Sequence, residues 1–222
     1  MSWSDIFYPE NPERREQLIR KNQELKELMK NNFRATNQLI EVLNKHLCLS
    51  FSPIYLNEKA TVKQNCDVMI ECIHKIQAEV GRIDKELKKN LEPTLYEKLR
   101  NNKSLSTTDL KLVGNVISAV CGIAAVTSTF VVGWLIMNGM ILARITAIFT
   151  TIGTGLLASC VLGVIFMGVD MIVSAILGSI ERDQLKKALK EYDEVLDEFR
   201  PASERYQDSI TYVRIRLEMM EK

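Results

Sequence analysis

Between Val113 and Ile180 the only charged residues are Arg144 and Asp170, and nearly every other position is apolar or small. No other feature narrows the possible folds as much. The run holds two apolar blocks, Val113–Met137 and Ile145–Val169. As helices each would be about 37 Å long, against a hydrocarbon core of roughly 30 Å. Asn138, Gly139 and Arg144 form the polar interruption between them. The pattern predicts an all-α integral membrane protein in which a helical hairpin, or a single crossing with a buried or interfacial helix, is flanked by long amphipathic coiled-coil helices. Three segments follow: an N-terminal helical arm over 1–112, the hydrophobic region over 113–180, and a C-terminal coiled-coil helix over 181–222.

The arms are a different material. Residues 1–112 carry 19 Lys+Arg and 16 Asp+Glu, residues 181–222 carry 9 and 11, and the formal net charge of the chain is +1. Mixed signs at this density suit solvated helix faces and exclude a nucleic-acid surface, which needs a clear cationic excess. The five cysteines, Cys48, Cys66, Cys72, Cys121 and Cys160, show neither a disulfide framework nor a metal-binding spacing. They read as small packing residues of arms in a reducing compartment. Met1–Asp5 lacks the basic and apolar regions of a signal peptide, so insertion is expected to depend on the internal run.

Along the chain, Asn11-Pro12-Glu13 opens a helix: Asn can cap, Pro is tolerated at the first position, and Glu suits the positive end of the dipole. Trp3, Ile6, Phe7 and Tyr8 before it are expected to fold back as a hydrophobic staple. Leu18, Leu25, Leu28, Met29, Phe33, Leu39, Ile40, Leu43 and Leu47 then recur at three- and four-residue steps, a face wide enough for more than one neighbour. Residues 48–60 break the pattern as a loop. Val62, Cys66, Met69, Ile73, Ile76, Val80, Ile83 and Leu87 form a strict heptad seam, and Pro93 marks a break after it. Ser106-Thr107-Thr108-Asp109 has the form of a capping box leading into the apolar run. After Ile180 a second seam starts at Leu185 and includes Tyr192, Phe199, Tyr206 and Ile210, with Pro201 facing away from it. The two seams are expected to pair antiparallel on one side of the bilayer.

Both flanks of the run are basic: Lys98, Arg100, Lys103 and Lys111 before it, Arg182, Lys186, Lys187 and Lys190 after it. Because Lys and Arg stay on the cytosolic side, this symmetry favours two crossings with both arms cytosolic. A turn near Met140 and Ile141 sets Asp170 opposite Lys111, and the two are predicted to form an ion pair at the interface. Gly114, Ser118 and Gly122 in the first block, and Gly155, Ser159 and Gly163 in the second, repeat at four-residue steps as positions for close helix packing.

Catalytic patterns fail. Gly153-Thr154-Gly155-Leu156-Leu157-Ala158 matches a dinucleotide fingerprint in letters only, without alternating strands and helices or an acid at the ribose spacing. With two histidines in the chain no nucleophile triad can be assembled. No enzyme activity, cofactor or small-molecule substrate is expected. Asp5–Pro12, Leu91–Tyr96 and Asp170–Gly178 together resemble the single-pass membrane and coiled-coil domain-containing protein family over essentially the whole chain. The resemblance implies a membrane protein with coiled coil and one crossing near Ile152–Ile172, and it implies no functional residues.

The expected role is structural or tethering, with the lipid bilayer as one partner and a coiled-coil partner or a second copy as the other. An alternative is a membrane-perturbing or channel-like protein, since amphipathic helices around a hydrophobic hairpin look like the layout of helical pore-forming toxins and apolipoprotein L proteins. A third is a soluble bundle that hides the run among its arms.

Overall fold

A computed structural model describes residues 9–47, 49–60, 62–101, 105–122, 147 and 181–220. The described residues hold five helices and no strand: α1 Asn11–Leu47, α2 Val62–Asn90, α3 Pro93–Arg100, α4 Thr107–Cys121 and α5 Glu181–Met220. Among them no helix is long and apolar enough to cross a membrane. The staple residues Trp3, Ile6, Phe7 and Tyr8, and the apolar run beyond Gly122 apart from Ala147, lie outside the described residues.

The helices sort into two compact units. The first gathers α1 up to Arg34, Tyr55–Met69 and α5 up to Tyr206. Its core is formed by Leu18, Leu25, Met29 and Phe33 of α1, Val62, Cys66 and Met69 of α2, and Leu185, Tyr192, Leu196, Phe199 and Tyr206 of α5, all buried. The heptad positions read from the sequence are thus core positions, because a 3.5-residue repeat keeps one stripe of each helix turned inward.

Polar bridges fix how α1 and α5 run. Tyr192 donates its hydroxyl to Asn22 Oδ1 at 3.2 Å, and Asn32 Nδ2 donates to Ser203 Oγ at 2.9 Å, both buried. At the margins Lys21 pairs with Asp193, and Arg200 grips Glu24 Oε1 through Nε and Nη2 at 2.7 and 2.5 Å. The sequence separations are 172, 170, 176 and 171. Between Lys21 and Asn32 an antiparallel pair would shorten its separation by about 22 residues, two for each step along the helix. Near-constant separation means that α1 and α5 are parallel. The seam that starts at Leu185 thus has α1, running parallel to it, as a partner. Pro201 sits inside α5, half-buried, and the helix continues through it.

The second unit gathers Ala35–Ile54, the rest of α2, α3, α4 and α5 from Gln207. Leu39, Ile40, Leu43, Ile73, Ile76, Val80, Ile83, Leu87, Leu95, Leu99, Val113 and Ile117 are buried in it.

The loop after α1 is held by asparagine amides. Asn44 accepts from Phe51 N at 2.9 Å and donates to Phe51 O at 2.8 Å, and Asn37 does the same for Ile54 at 2.8 and 2.8 Å. Within the first unit Asn65 clamps Asn57 in the same way, at 2.9 and 3.0 Å. An Asn side chain carries one acceptor and donors on the same planar group, so it can satisfy both main-chain groups of an extended residue that has no strand partner. Asn37 and Asn44 lie two turns apart, about 10.5 Å, and three residues of chain cover that distance at about 3.5 Å each, the reach of extended backbone. Ser52, Pro53 and Tyr55 face solvent.

Candidate functional site

The site of interest is the elbow that carries the chain from α2 into the apolar run, all of it within the second unit. Leu91 continues the α2 ladder through its N–H to the Leu87 carbonyl, and Pro93 then opens α3 at a position where a missing N–H is harmless. Tyr96 donates its hydroxyl to both carboxylate oxygens of Asp84, at 3.1 and 3.2 Å, which folds α3 back along α2. Burial, and after it the adjacent Asp84 carboxylate, push the Tyr96 phenol above its ordinary range.

The predicted capping box is present. Asp109 N donates to Ser106 Oγ at 3.2 Å, and Ser106 N donates to Asp109 Oδ2 at 3.0 Å. The Ser106 N–H and hydroxyl, and then Lys98 with its Nζ 3.7 Å away, hold the Asp109 carboxyl below the usual carboxylate range. From this cap α4 runs only to Cys121. Gly122 follows at φ 68°, with its N–H bonded to Ser118 O.

That ending gives Gly122 a local role at the end of α4. A left-handed residue at a helix C-terminus favours glycine because it has no Cβ to clash. Gly122 stops the helix, and among the described residues nothing lies within 4 Å of where its Cβ would stand. The first apolar block is likewise not one helix from Val113. Gly114 is buried and Ser118 half-buried on α4, alongside fully buried Val113 and Ile117. Lys111 is exposed on α4. Gly155, Ser159, Gly163 and Asp170 lie outside the described residues.

A groove of about 560 Å³ opens between α2 and α4. Arg82, Glu86 and Asn90 line one wall, one turn apart each, and Asn115, Val116, Ala119 and Val120 line the other. Arg82 is held by Glu79 Oε1, at 2.9 Å from Nε and 2.5 Å from Nη2, and Asn90 Nδ2 donates to the Glu86 carbonyl at 2.8 Å.

Charge is unevenly spread along the N-terminal arm. Residues 1–81 hold eleven cations and eleven carboxylates, whereas 82–111 hold eight cations against five. Elsewhere cations are commonly paired, as in Lys26 with Glu58 and Lys75 with Glu71. Lys85, Lys88, Lys89, Arg100 and Lys111 are exposed and have no ion-pair partner among the described residues. Sequence reasoning counted Lys98, Arg100, Lys103 and Lys111 as a flank. The groove was not foreseen, because its walls are set by how α2 and α4 pack.

Among the described residues no group of His, Cys, Asp and Glu is arranged to hold a metal ion. Cys66 and Cys72 are buried and Cys121 half-buried, and none of the three is in a disulfide among the described residues. No solved structure matches the chain. The family described as "Protein of unknown function (DUF4533)" matches residues 14–172, from α1 through the elbow and into the second apolar block, and the chain belongs to that family.

Proposed function

We propose that this protein is a membrane-anchored helical scaffold: a bundle built around paired α1 and α5 stands on the cytosolic face, and the apolar residues between the arms enter the bilayer. The pairing of α1 with α5 carries this reading. α1 precedes the run, α5 follows it, and their buried Asn22–Tyr192 and Asn32–Ser203 bonds require both to be in one compartment. A chain that crosses once leaves its flanks on opposite sides, so the pairing supports an even number of crossings. Ile123–Val169 offers 47 residues, enough for two crossings at about 20 each with a short turn. The basic flanks favour the same arrangement. This departs from the single crossing implied by the resemblance to single-pass membrane and coiled-coil domain-containing proteins.

The role that fits is tethering. The arms offer long helical faces with a fixed register, suited to a coiled-coil partner or a second copy. Carbonate extraction of membranes carrying the full chain tests the anchor. The wild-type protein is expected in the pellet and a Val161→Arg/Leu162→Arg variant in the supernatant. Wild-type protein released by carbonate would refute the anchor.

A further inference from the structure

We infer that Ser52 is an acceptor for a proline-directed serine kinase, and that the asparagine clamps of the second unit gate its phosphorylation. The inference rests on the cytosolic placement proposed above, since such a kinase and its nucleoside triphosphate work there. Of the five prolines in the chain, Pro53 alone follows a serine or threonine; the others follow Tyr8, Asn11, Glu92 and Arg200. A residue before proline is pushed towards extended backbone. Residues 49–54 accordingly carry neither helix nor strand, and Ser52 and Pro53 are both exposed. Asn44 takes both main-chain groups of Phe51, and Asn37 takes both of Ile54. The segment is thus tied to α1 on either side of Ser52-Pro53, and these two residues are left to solvent.

A kinase selects proline after the acceptor when its cleft offers no partner for an N–H at that position. Any other residue would bring a buried, unpaired donor, and proline has none. In the transfer, Ser52 Oγ attacks the γ-phosphorus of the nucleoside triphosphate. The Oγ–P bond forms as the bond from that phosphorus to the β-phosphate oxygen breaks, the hydroxyl proton passes to the kinase's catalytic aspartate, and the nucleoside diphosphate leaves. The cleft holds extended chain on both sides of the acceptor. Phe51 and Ile54 can enter it only after they leave Asn44 and Asn37, so the rate follows the population in which the segment has lifted from α1.

The test uses the purified full chain in detergent, a mitogen-activated protein kinase and ATP, with the phosphate located by mass spectrometry. Phosphate is expected on Ser52 and is lost in Ser52→Ala. Each hydrogen bond of a clamp is worth about five- to sixfold in the lifted population, so Asn44→Ala, which removes two, should be phosphorylated about thirtyfold faster at equal far-ultraviolet circular dichroism. Asn90→Ala, which removes a bond to the Glu86 carbonyl on α2, should keep the wild-type rate. No phosphate on Ser52 in either wild type or Asn44→Ala, with the kinase active on a standard peptide, overturns the site. Equal rates in wild type and Asn44→Ala overturn the gate. Both failures leave the anchor standing, because the assay needs no bilayer. Release of the wild-type chain by carbonate would overturn the anchor and leave the labelling of Ser52 as measured.

Discussion

Removing the asparagine clamps should free the loop after α1 without unfolding the helices. Asn44 makes two hydrogen bonds to Phe51 and Asn37 two to Ile54, all part-buried. Each bond contributes about 0.5–1.5 kcal/mol net, so one Asn→Ala change is expected to cost about 1–3 kcal/mol. The lower half of that range applies where water can reach the abandoned main-chain groups, and we take about 2 kcal/mol. Chymotrypsin cleavage at Tyr55, 76% exposed, requires the flanking chain to lift from α1. If opening is fast and reversible, cleavage follows the open population, and about 2 kcal/mol becomes roughly a thirtyfold faster cut for Asn44→Ala. Asn44→Asp is a sharper probe, because a carboxylate accepts from Phe51 N–H but repels Phe51 C=O. It should fall near the alanine variant and not near wild type. Limited proteolysis at matched protein and protease concentrations, with far-ultraviolet circular dichroism as the fold control, measures both. Unchanged cleavage in the Asn37→Ala/Asn44→Ala double variant, with unchanged helicity, would refute the clamp.

Three further outcomes are expected. Asp109 has its carboxyl held down by Ser106 and Lys98. A lowered folded pKa contributes stability above the unfolded value of about 3.9 that is lost as pH falls through the folded value, so hydrogen exchange in α4 should accelerate below about pH 4 in wild type and much less in Asp109→Asn. Gly122→Ala should destabilise α4 by about 1–2 kcal/mol through its positive φ alone, with Gly122→Asn costing less, as read by thermal or urea unfolding. Tyr192→Phe should lower stability by about 1–3 kcal/mol in urea titration, because it leaves buried Asn22 Oδ1 without the hydroxyl that it accepts from.

Much of the helical plan was legible in the sequence. The heptad from Val62 to Leu87 is buried at each position named, and the Ser106–Asp109 cap forms as spaced. Periodicity names the face of a helix but neither its partner nor its direction, so the parallel pairing of α1 with α5 is not visible in it. The direction is set by buried polar groups, Asn22, Asn32, Tyr192 and Ser203, which look unremarkable in a heptad reading. The elbow was harder to foresee. Gly122 fits a small-residue step as well as it fits a C-terminal stop, and only φ separates the two. Asn37 and Asn44 are seven residues apart on a polar face, and nothing local indicates that they hold a segment beginning at Phe51.

The central claim is that both arms lie in one compartment with the apolar run folded into the bilayer between them. The most direct measurement places an epitope tag at each end of the full chain in cells whose plasma membrane alone is permeabilised. Both tags accessible to antibody, in a protein that carbonate does not release, is the predicted result. One tag accessible and one protected until the inner membranes are opened would contradict it.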